Sequence, residues 1–234
     1  MSLFVNCLVL VLVLVCAPVF AAGSTEQVEE STTQIKPEYN RSEEASPSKI
    51  GIVAGPEVGI GDSSGNGANL STRTRAMIGA YYEYAFIPYL AIHPELDYVQ
   101  RGFSLPVAAN AQAEFAMNYL EFPLLVKAQY PIDILTPYIA TGPYAGVLLG
   151  KGVTVTTATG QTLDMPGALD NRINRFTFGW DFAGGASIAV TRTISLEATF
   201  RYSRGITNIL SNAGAGSSLK LDSAQILGGL GIAL

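Results

Sequence analysis

The sequence predicts an all-β fold: an eight-stranded antiparallel up-and-down transmembrane β-barrel. Three observations predict it. Seven segments place apolar residues on one parity and nearly every charge on the other, and an eighth does so less regularly; side chains of a strand point to opposite faces with period two. The connections between these segments alternate between short and long. Charged residues make up only 14% of the chain, against about a quarter in soluble domains. Yet beyond the N-terminus no apolar run reaches the roughly 20 residues of a helical membrane span.

Two segments show the pattern best. In one, Leu90, Ile92, Pro94, Leu96 and Tyr98 alternate with Ala91, His93, Glu95, Asp97, Val99 and Arg101. In the other, Ile194, Leu196, Ala198, Phe200 and Tyr202 alternate with Ser195, Glu197, Thr199, Arg201 and Ser203. A soluble sheet would also alternate, with the apolar face as its core. Here the charged face carries both signs and many small residues, and the apolar face is rich in aromatics, which suits lipid outside and a polar lumen inside.

Taken in order, residues 1–21 are expected to be a signal peptide. Leu8 to Val15 is an apolar run, and Val19 and Ala21 supply small residues before a cleavage point. No Lys or Arg precedes the run. A lipidated Cys16 and an uncleaved anchor are the alternatives; Val15 is bulky where lipidation wants a small residue. Cys7 and Cys16 are the only cysteines, so a cleaved chain has no thiol or disulfide. Residues 22–48 are acidic and rich in Ser, Thr, Glu and Pro, with neither period, and read as a disordered periplasmic tether.

Residues 49–234 are expected to be the barrel. The first strand, about 49–60, turns Ile50, Ile52, Ala54, Pro56, Val58 and Ile60 outward and Lys49 and Glu57 inward. The second, about 73–86, turns Ala76, Ile78, Ala80, Tyr82, Tyr84 and Phe86 outward and Arg73, Arg75, Tyr81 and Glu83 inward. The third is about 90–103. The fourth, about 117–130, faces lipid with Leu120, Phe122, Leu124, Val126 and Tyr130 and the lumen with Glu121, Lys127 and Gln129. The fifth, about 136–151, is the irregular one: Tyr138, Ala140, Tyr144 and Leu148 share a parity, with Ile139, Val147 and Leu149 on the other. The sixth, about 175–190, has Phe176, Phe178, Trp180, Phe182 and Ile188 outward and Arg175, Thr177 and Asp181 inward. The seventh is about 194–204. The eighth, about 221–234, has Ile226, Leu230, Ile232 and Leu234 outward and Ser223 and Gln225 inward. Short turns fall near 87–89, 131–135 and 191–193, and long loops near 61–72, 104–116, 152–174 and 205–220. Short turns at one end and long loops at the other mark bacterial outer-membrane barrels.

The expected lumen charges nearly balance. The acids are Glu57, Glu83, Glu95, Asp97, Glu121, Asp181 and Glu197; the bases are Lys49, Arg73, Arg75, Arg101, Lys127, Lys151, Arg175 and Arg201. Asp222 alone falls on the outward parity. Eight strands enclose a lumen just wide enough for side chains to fill. The sequence therefore predicts a closed ion-pair network centred on Glu95, Asp97, Arg101, Glu121, Lys127, Glu197 and Arg201.

Catalytic, cofactor and metal sites are not expected. His93 is the single histidine; with Glu95 and Asp97 it lacks a zinc ligand set, and pairing with Arg73, Arg75, Arg101 or Arg201 is the simpler role. No serine sits in a nucleophile elbow. Gly146 to Lys151 misses the phosphate-loop spacing, with Gly152 where Ser or Thr is needed. The Gly-rich stretch 59–67 reads as a surface loop. Tyr82, Tyr84, Phe176, Phe178, Trp180 and Tyr202 read as a lipid-facing wall and girdle. A net charge of −5 gives no reason to expect nucleic acid.

The chain resembles the outer-membrane β-barrel family that includes PorT and small "porin family" proteins of Bacteroidota-type bacteria. Ile50 to Pro56, Tyr119-Leu120-Glu121-Phe122-Pro123-Leu124-Leu125-Val126-Lys127, Pro137 to Tyr144 and Gly228 to Leu234 carry the resemblance. Many such barrels end in an aromatic residue, and this chain ends in Leu234. The resemblance implies an integral outer-membrane protein but not one activity, because the family is functionally mixed; from its residues the chain is expected to be non-enzymatic and without cofactor. Its expected partners are outer-membrane lipid, the barrel-assembly machinery during insertion, and an envelope protein reached through loops or tether. The role expected is structural or interactive, in its sharpest form a PorT-like accessory to protein export. A conduit for a small solute or apolar ligand, and a soluble lipocalin-type binding barrel, are the alternatives.

Overall fold

Eight of the strands pair with their neighbours in one closed antiparallel ring. The computed structural model describes residues 48–64, 71–108, 111–157, 161–165, 167, 173–210 and 218–234. The expected signal peptide and nearly all of the expected tether lie outside the described residues. The strands are β1 (Ser48–Ser64), β2 (Ser71–Ile87), β3 (Leu90–Ala108), β4 (Ala111–Gln129), β5 (Leu135–Thr156), β6 (Thr162–Asp164), β7 (Phe176–Ala189), β8 (Ile194–Gly205) and β9 (Ser218–Ala233). The pairing order β4-β3-β2-β1-β9-β8-β7-β5 is closed by β4 against β5, and the short β6 adds to the upper part of β5. Closure leaves no strand edge in hydrocarbon, where each unpaired backbone group would cost several kcal/mol.

The expected parities hold in the strands with clean alternation. Ile52, Ile78, Leu96, Phe122, Leu196 and Ile226 are exposed on the outside, while Glu57, Asp97, Glu121 and Arg201 are buried inside. Cross-strand register keeps each class together: Asp97 lies opposite Glu121, and Leu196 opposite both Ile188 and Leu230. The aromatic wall follows, with Tyr82, Tyr84, Phe176, Phe178 and Trp180 exposed. Tyr202 is half-buried and donates to Asp222 Oδ2 at 2.8 Å. That bond, with the Gly205 N–H to Oδ1 at 3.0 Å, satisfies the outward carboxylate near the end of β9. Arg204 and Lys220 are also exposed at this level, so Asp222 lies beside other charges at the loop-end rim.

Two expectations need correction. The region 104–116 is not a long loop: β3 and β4 continue through most of it as a hairpin of two 19-residue strands. Only about 9–11 tilted residues are needed to cross hydrocarbon, so this hairpin rises far beyond it. It stays paired because a strand pair satisfies its backbone as well in water as in lipid, and its inward residues Phe103 and Phe115 stack at 4.7 Å. Likewise β5 runs to Thr156, and β6 lies within the expected loop 152–174. In β5, whose two parities the sequence leaves unassigned, the tyrosines face the lumen. Tyr138 and Tyr144 are buried, and Ile139, Thr141, Pro143 and Ala145 face outward. A register shift opposite Asn118 and Tyr119 inserts Leu149 as an extra residue, which explains the broken parity of this segment.

Two glycines are required by close approach. A Cβ on Gly179 would run into the ring of Tyr144, and one on Gly79 into the carboxylate of Asp97. Both are lumen positions where a side chain of a neighbouring strand comes against the backbone. A closed barrel of this kind should run as a compact band on SDS gels until heated; an identical mobility before and after boiling would contradict the closed ring.

Candidate functional site

Charged side chains converge in the lumen, and they do so in tiers. At the short-turn end, Lys127 Nζ lies 2.7 Å from Glu83 and 3.8 Å from Glu197, over the ring of Tyr138 at 3.9 Å. Lys49 reaches the same two glutamates at 3.4 and 3.7 Å. His93 bridges this tier to the next. Its Nδ1 is 3.1 Å from Glu83 and its Nε2 3.2 Å from Glu95, and its ring stacks on Tyr81. In the middle tier Arg201 donates to both oxygens of Glu95 at 2.6 Å and to Asp97 Oδ2 at 3.0 Å. In the upper tier Arg101 holds Glu57 and Glu121, each at 3.0 Å, and donates to the Tyr144 hydroxyl at 3.3 Å.

Above the charges the lumen is apolar. Phe103, Met117, Tyr119, Leu219 and Leu221 form a buried cluster with Ile209, backed by Leu105, Phe115, Leu148, Ile173 and Leu210. The segment carrying Ile209 continues the wall in line with β8, between the lead-in to β7 and β9: Asn174 N–H donates to Ile209 O, and Ile209 N–H to Leu219 O. A second cluster of Val53, Met77, Tyr81, Val99 and Leu227 lines one wall lower down. Sequence reasoning missed both, because they use inward residues between the charges, and Ile209 from an expected loop. The inward parity of Val53, Val99 and Leu227 was the available signal.

The structure places all seven expected network residues in the buried lumen. It joins Glu95 and Asp97 to Arg201, Glu121 to Arg101, and Glu197 to Lys127. Glu57, Glu83, His93 and Tyr144 belong to the same contacts. The charge balance, however, does not carry over to the sealed interior. All seven expected acids are buried, but of the eight expected bases only Arg101, Lys127 and Arg201 are. Arg73 and Arg75 sit half-exposed at the loop end around Glu114, which lies in the extension of β4 that the sequence reads as loop. Lys151 and Arg175 are exposed. Strand parity assigns a side but not a depth, and these bases lie where the wall meets water. Glu57 Oε2, Asp97 Oδ1, Glu121 Oε1 and Asp181 Oδ1 consequently remain buried without a protein donor.

Among the described residues no group of three or more His, Cys, Asp or Glu side chains is placed to hold a metal ion. His93 is 6% exposed between two carboxylates, so no substrate could reach its nitrogens without displacing them. What the arrangement does chemically is hold strands to one another across the lumen: Arg201 on β8 bonds to β3, and Arg101 on β3 bonds to β1 and β4.

A closed ring of eight strands, apolar outside and charged within, is the architecture of an integral outer-membrane β-barrel. The chain belongs to the outer membrane protein beta-barrel domain family, which matches residues 27–211, and its place is the bacterial outer membrane. Solved structures of similar fold include the outer membrane protein OprG of Pseudomonas aeruginosa, at 11% identity and a TM-score of 0.50, covering 81% of this chain and 97% of that one. Neisserial surface protein A is similar at 13% identity and a TM-score of 0.49, covering 81% and 98%. The outer membrane protease OmpT of Escherichia coli is similar at 10% identity and a TM-score of 0.46, covering 80% and 96%. At such identities the likeness is one of fold alone. None of the curated proteins compared with the chain matches it.

Proposed function

We propose that the protein is a non-conducting, non-enzymatic barrel serving as a scaffold of the cell envelope, with its long hairpins as the contact surface outside the cell. The observation that carries this reading is the filled lumen: three tiers of ion pairs below an apolar cluster leave side chains, not solvent, along the axis. In this reading residues 1–21 are removed on export and residues 22–48 form an acidic periplasmic tether. The partners are outer-membrane lipid, the assembly machinery during insertion, and an envelope protein engaged through loops or tether. A PorT-like accessory role in protein export is the finer form, supported by the Tyr119 to Lys127 segment and the other residues of that resemblance. The soluble lipocalin-type alternative needs the apolar parity inside, whereas Ile52, Phe122 and Leu196 face out.

Planar-bilayer recording tests the reading. The unmodified protein should give no steady conductance step. A stable, large, ion-selective conductance would refute the filled lumen and favour a solute conduit instead.

A further inference from the structure

The sealed part of the lumen holds more carboxyl groups than cations, and the excess is local. The tier at the short-turn end is even: Glu83 and Glu197 share Lys49 and Lys127. The tiers above it are not. Glu57, Glu95, Asp97, Glu121 and Asp181 are all buried there, against Arg101, Arg201 and His93. Glu95 and Asp97 on β3 take Arg201, and His93 lies between Glu83 and Glu95. Glu57 on β1, Glu121 on β4 and Asp181 on β7 are left with the guanidinium of Arg101.

That guanidinium is divided. Its Nε donates to Glu57 Oε1 and its Nη2 to Glu121 Oε2, each at 3.0 Å, while Nη1 donates to the Tyr144 hydroxyl at 3.3 Å. Nε and Nη2 are neighbours on one edge of the group, so the two carboxyls lie side by side on one positive charge. Their other oxygens, Glu57 Oε2 and Glu121 Oε1, are buried without a donor among the described residues. Asp181 forms no ion pair with any described residue. Ser203 lies opposite it in register, and its Oδ1 is likewise buried without a donor. The surrounding strands bring no further cation among the described residues. Opposite Glu57, β9 presents Gln225 and β2 presents Arg75, which is half-exposed and lies 4.0 Å from Glu114. On β5 and β4 the neighbours are the buried Tyr144 and Tyr119. Like charges side by side and shielded from water do not both persist, and an unpaired buried carboxylate is neutralised rather than kept.

We propose that the folded barrel carries protons in its upper lumen at neutral pH, one on Asp181 and one shared by Glu57 and Glu121, and that they make its stability fall as the medium turns alkaline. The folded state holds these protons where the unfolded chain, with its carboxyls in water, has lost them. For each such proton the unfolding equilibrium constant rises about tenfold per pH unit as pH rises. The barrel is therefore tightest in mildly acid surroundings.

Urea unfolding of the full-length protein in detergent, from about pH 5 to about pH 9, tests this. Asp181→Asn and Glu121→Gln each replace an acid by its uncharged isostere, and the latter leaves Glu57 alone on Arg101. Each variant should match the unmodified protein at the acid end, exceed its stability at the alkaline end, and lower the pH slope by about one proton. His93 adds a slope of its own, which is common to all three proteins and cancels in the difference. A carboxyl needed as a charge would do the opposite, losing stability on substitution and losing most at the alkaline end. Infrared spectra of the folded protein in heavy water at neutral pH give a direct readout: the carbonyl stretch of protonated carboxyl groups should be present and should weaken in each variant. Folding is read from the heat-modifiable band; if Asp181→Asn does not fold, Glu121→Gln carries the same expectations. A slope unchanged by the substitutions, variants less stable than the unmodified protein at alkaline pH, or no protonated-carboxyl band would overturn the proposal.

Discussion

Arg201→Met should destabilise the folded barrel by about 3–5 kcal/mol, the usual result of leaving a buried charge without its partner. Arg201 is 3% exposed and holds two carboxylates, Glu95 through both oxygens and Asp97 through one. Methionine keeps much of the side-chain volume, so the loss comes from stranded carboxylates rather than from a cavity. Adding Glu95→Gln and Asp97→Asn should recover most of it, because the buried charges then disappear together. Urea unfolding in detergent, followed by the heat-modifiable band, measures both steps. A triple variant no more stable than the single one would show that the tier does not act as an ion-pair unit. The same logic applies to Arg101, whose loss strands Glu57 and Glu121. In neither case should conductance rise, since the apolar cluster around Phe103, Met117 and Ile209 still closes the loop end.

Leu124→Arg and Leu196→Arg should each block or strongly slow insertion. Both side chains face outward in the aromatic and aliphatic belt, where a guanidinium near mid-depth costs about 2–4 kcal/mol. Leu163→Arg is the control. Leu163 is just as exposed, on β6, but that strand pairs with the part of β5 above the end of β7. Yield of heat-modifiable protein in the outer membrane is the measurement, and equal loss at Leu163 would refute the depth assigned to the belt. Thr199 would look like a natural lumen-facing control. It is unsuitable, because its hydroxyl is hydrogen-bonded to Tyr138 in a packed interior, and an arginine there would overpack the lumen.

The class of fold, the number of ring strands and the face of most side chains were legible in the sequence. The reason is that alternation with period two, read against lipid outside, is a local property: Leu196 and Glu197 take opposite faces whatever the rest of the barrel does. It also pointed to seven of the charged residues that lie in the lumen. It left open where strands end, because pairing beyond the membrane needs no apolar parity, and the β3–β4 hairpin continued through an Ala- and Gln-rich stretch that reads as loop. It also left open which parity of β5 faces the lumen, because one extra residue at Leu149 shifts the alternation part-way along the strand.

Only the tertiary structure decided which charges meet. Arg201 and Glu95 are separated by 106 positions in the chain, and their pairing follows from ring closure and register. Depth was decided there as well. Arg73, Arg75, Lys151 and Arg175 looked equivalent to Arg101 in the pattern, yet they lie where the wall meets water, so the buried interior is richer in acids than the parity count implied. Neighbours on the outer wall have the same origin: register places Ala145 of β5 between Phe122 of β4 and Phe178 of β7. Parity is carried by neighbours in sequence, whereas depth and partners are carried by neighbours across strands, which become adjacent only once the ring has closed.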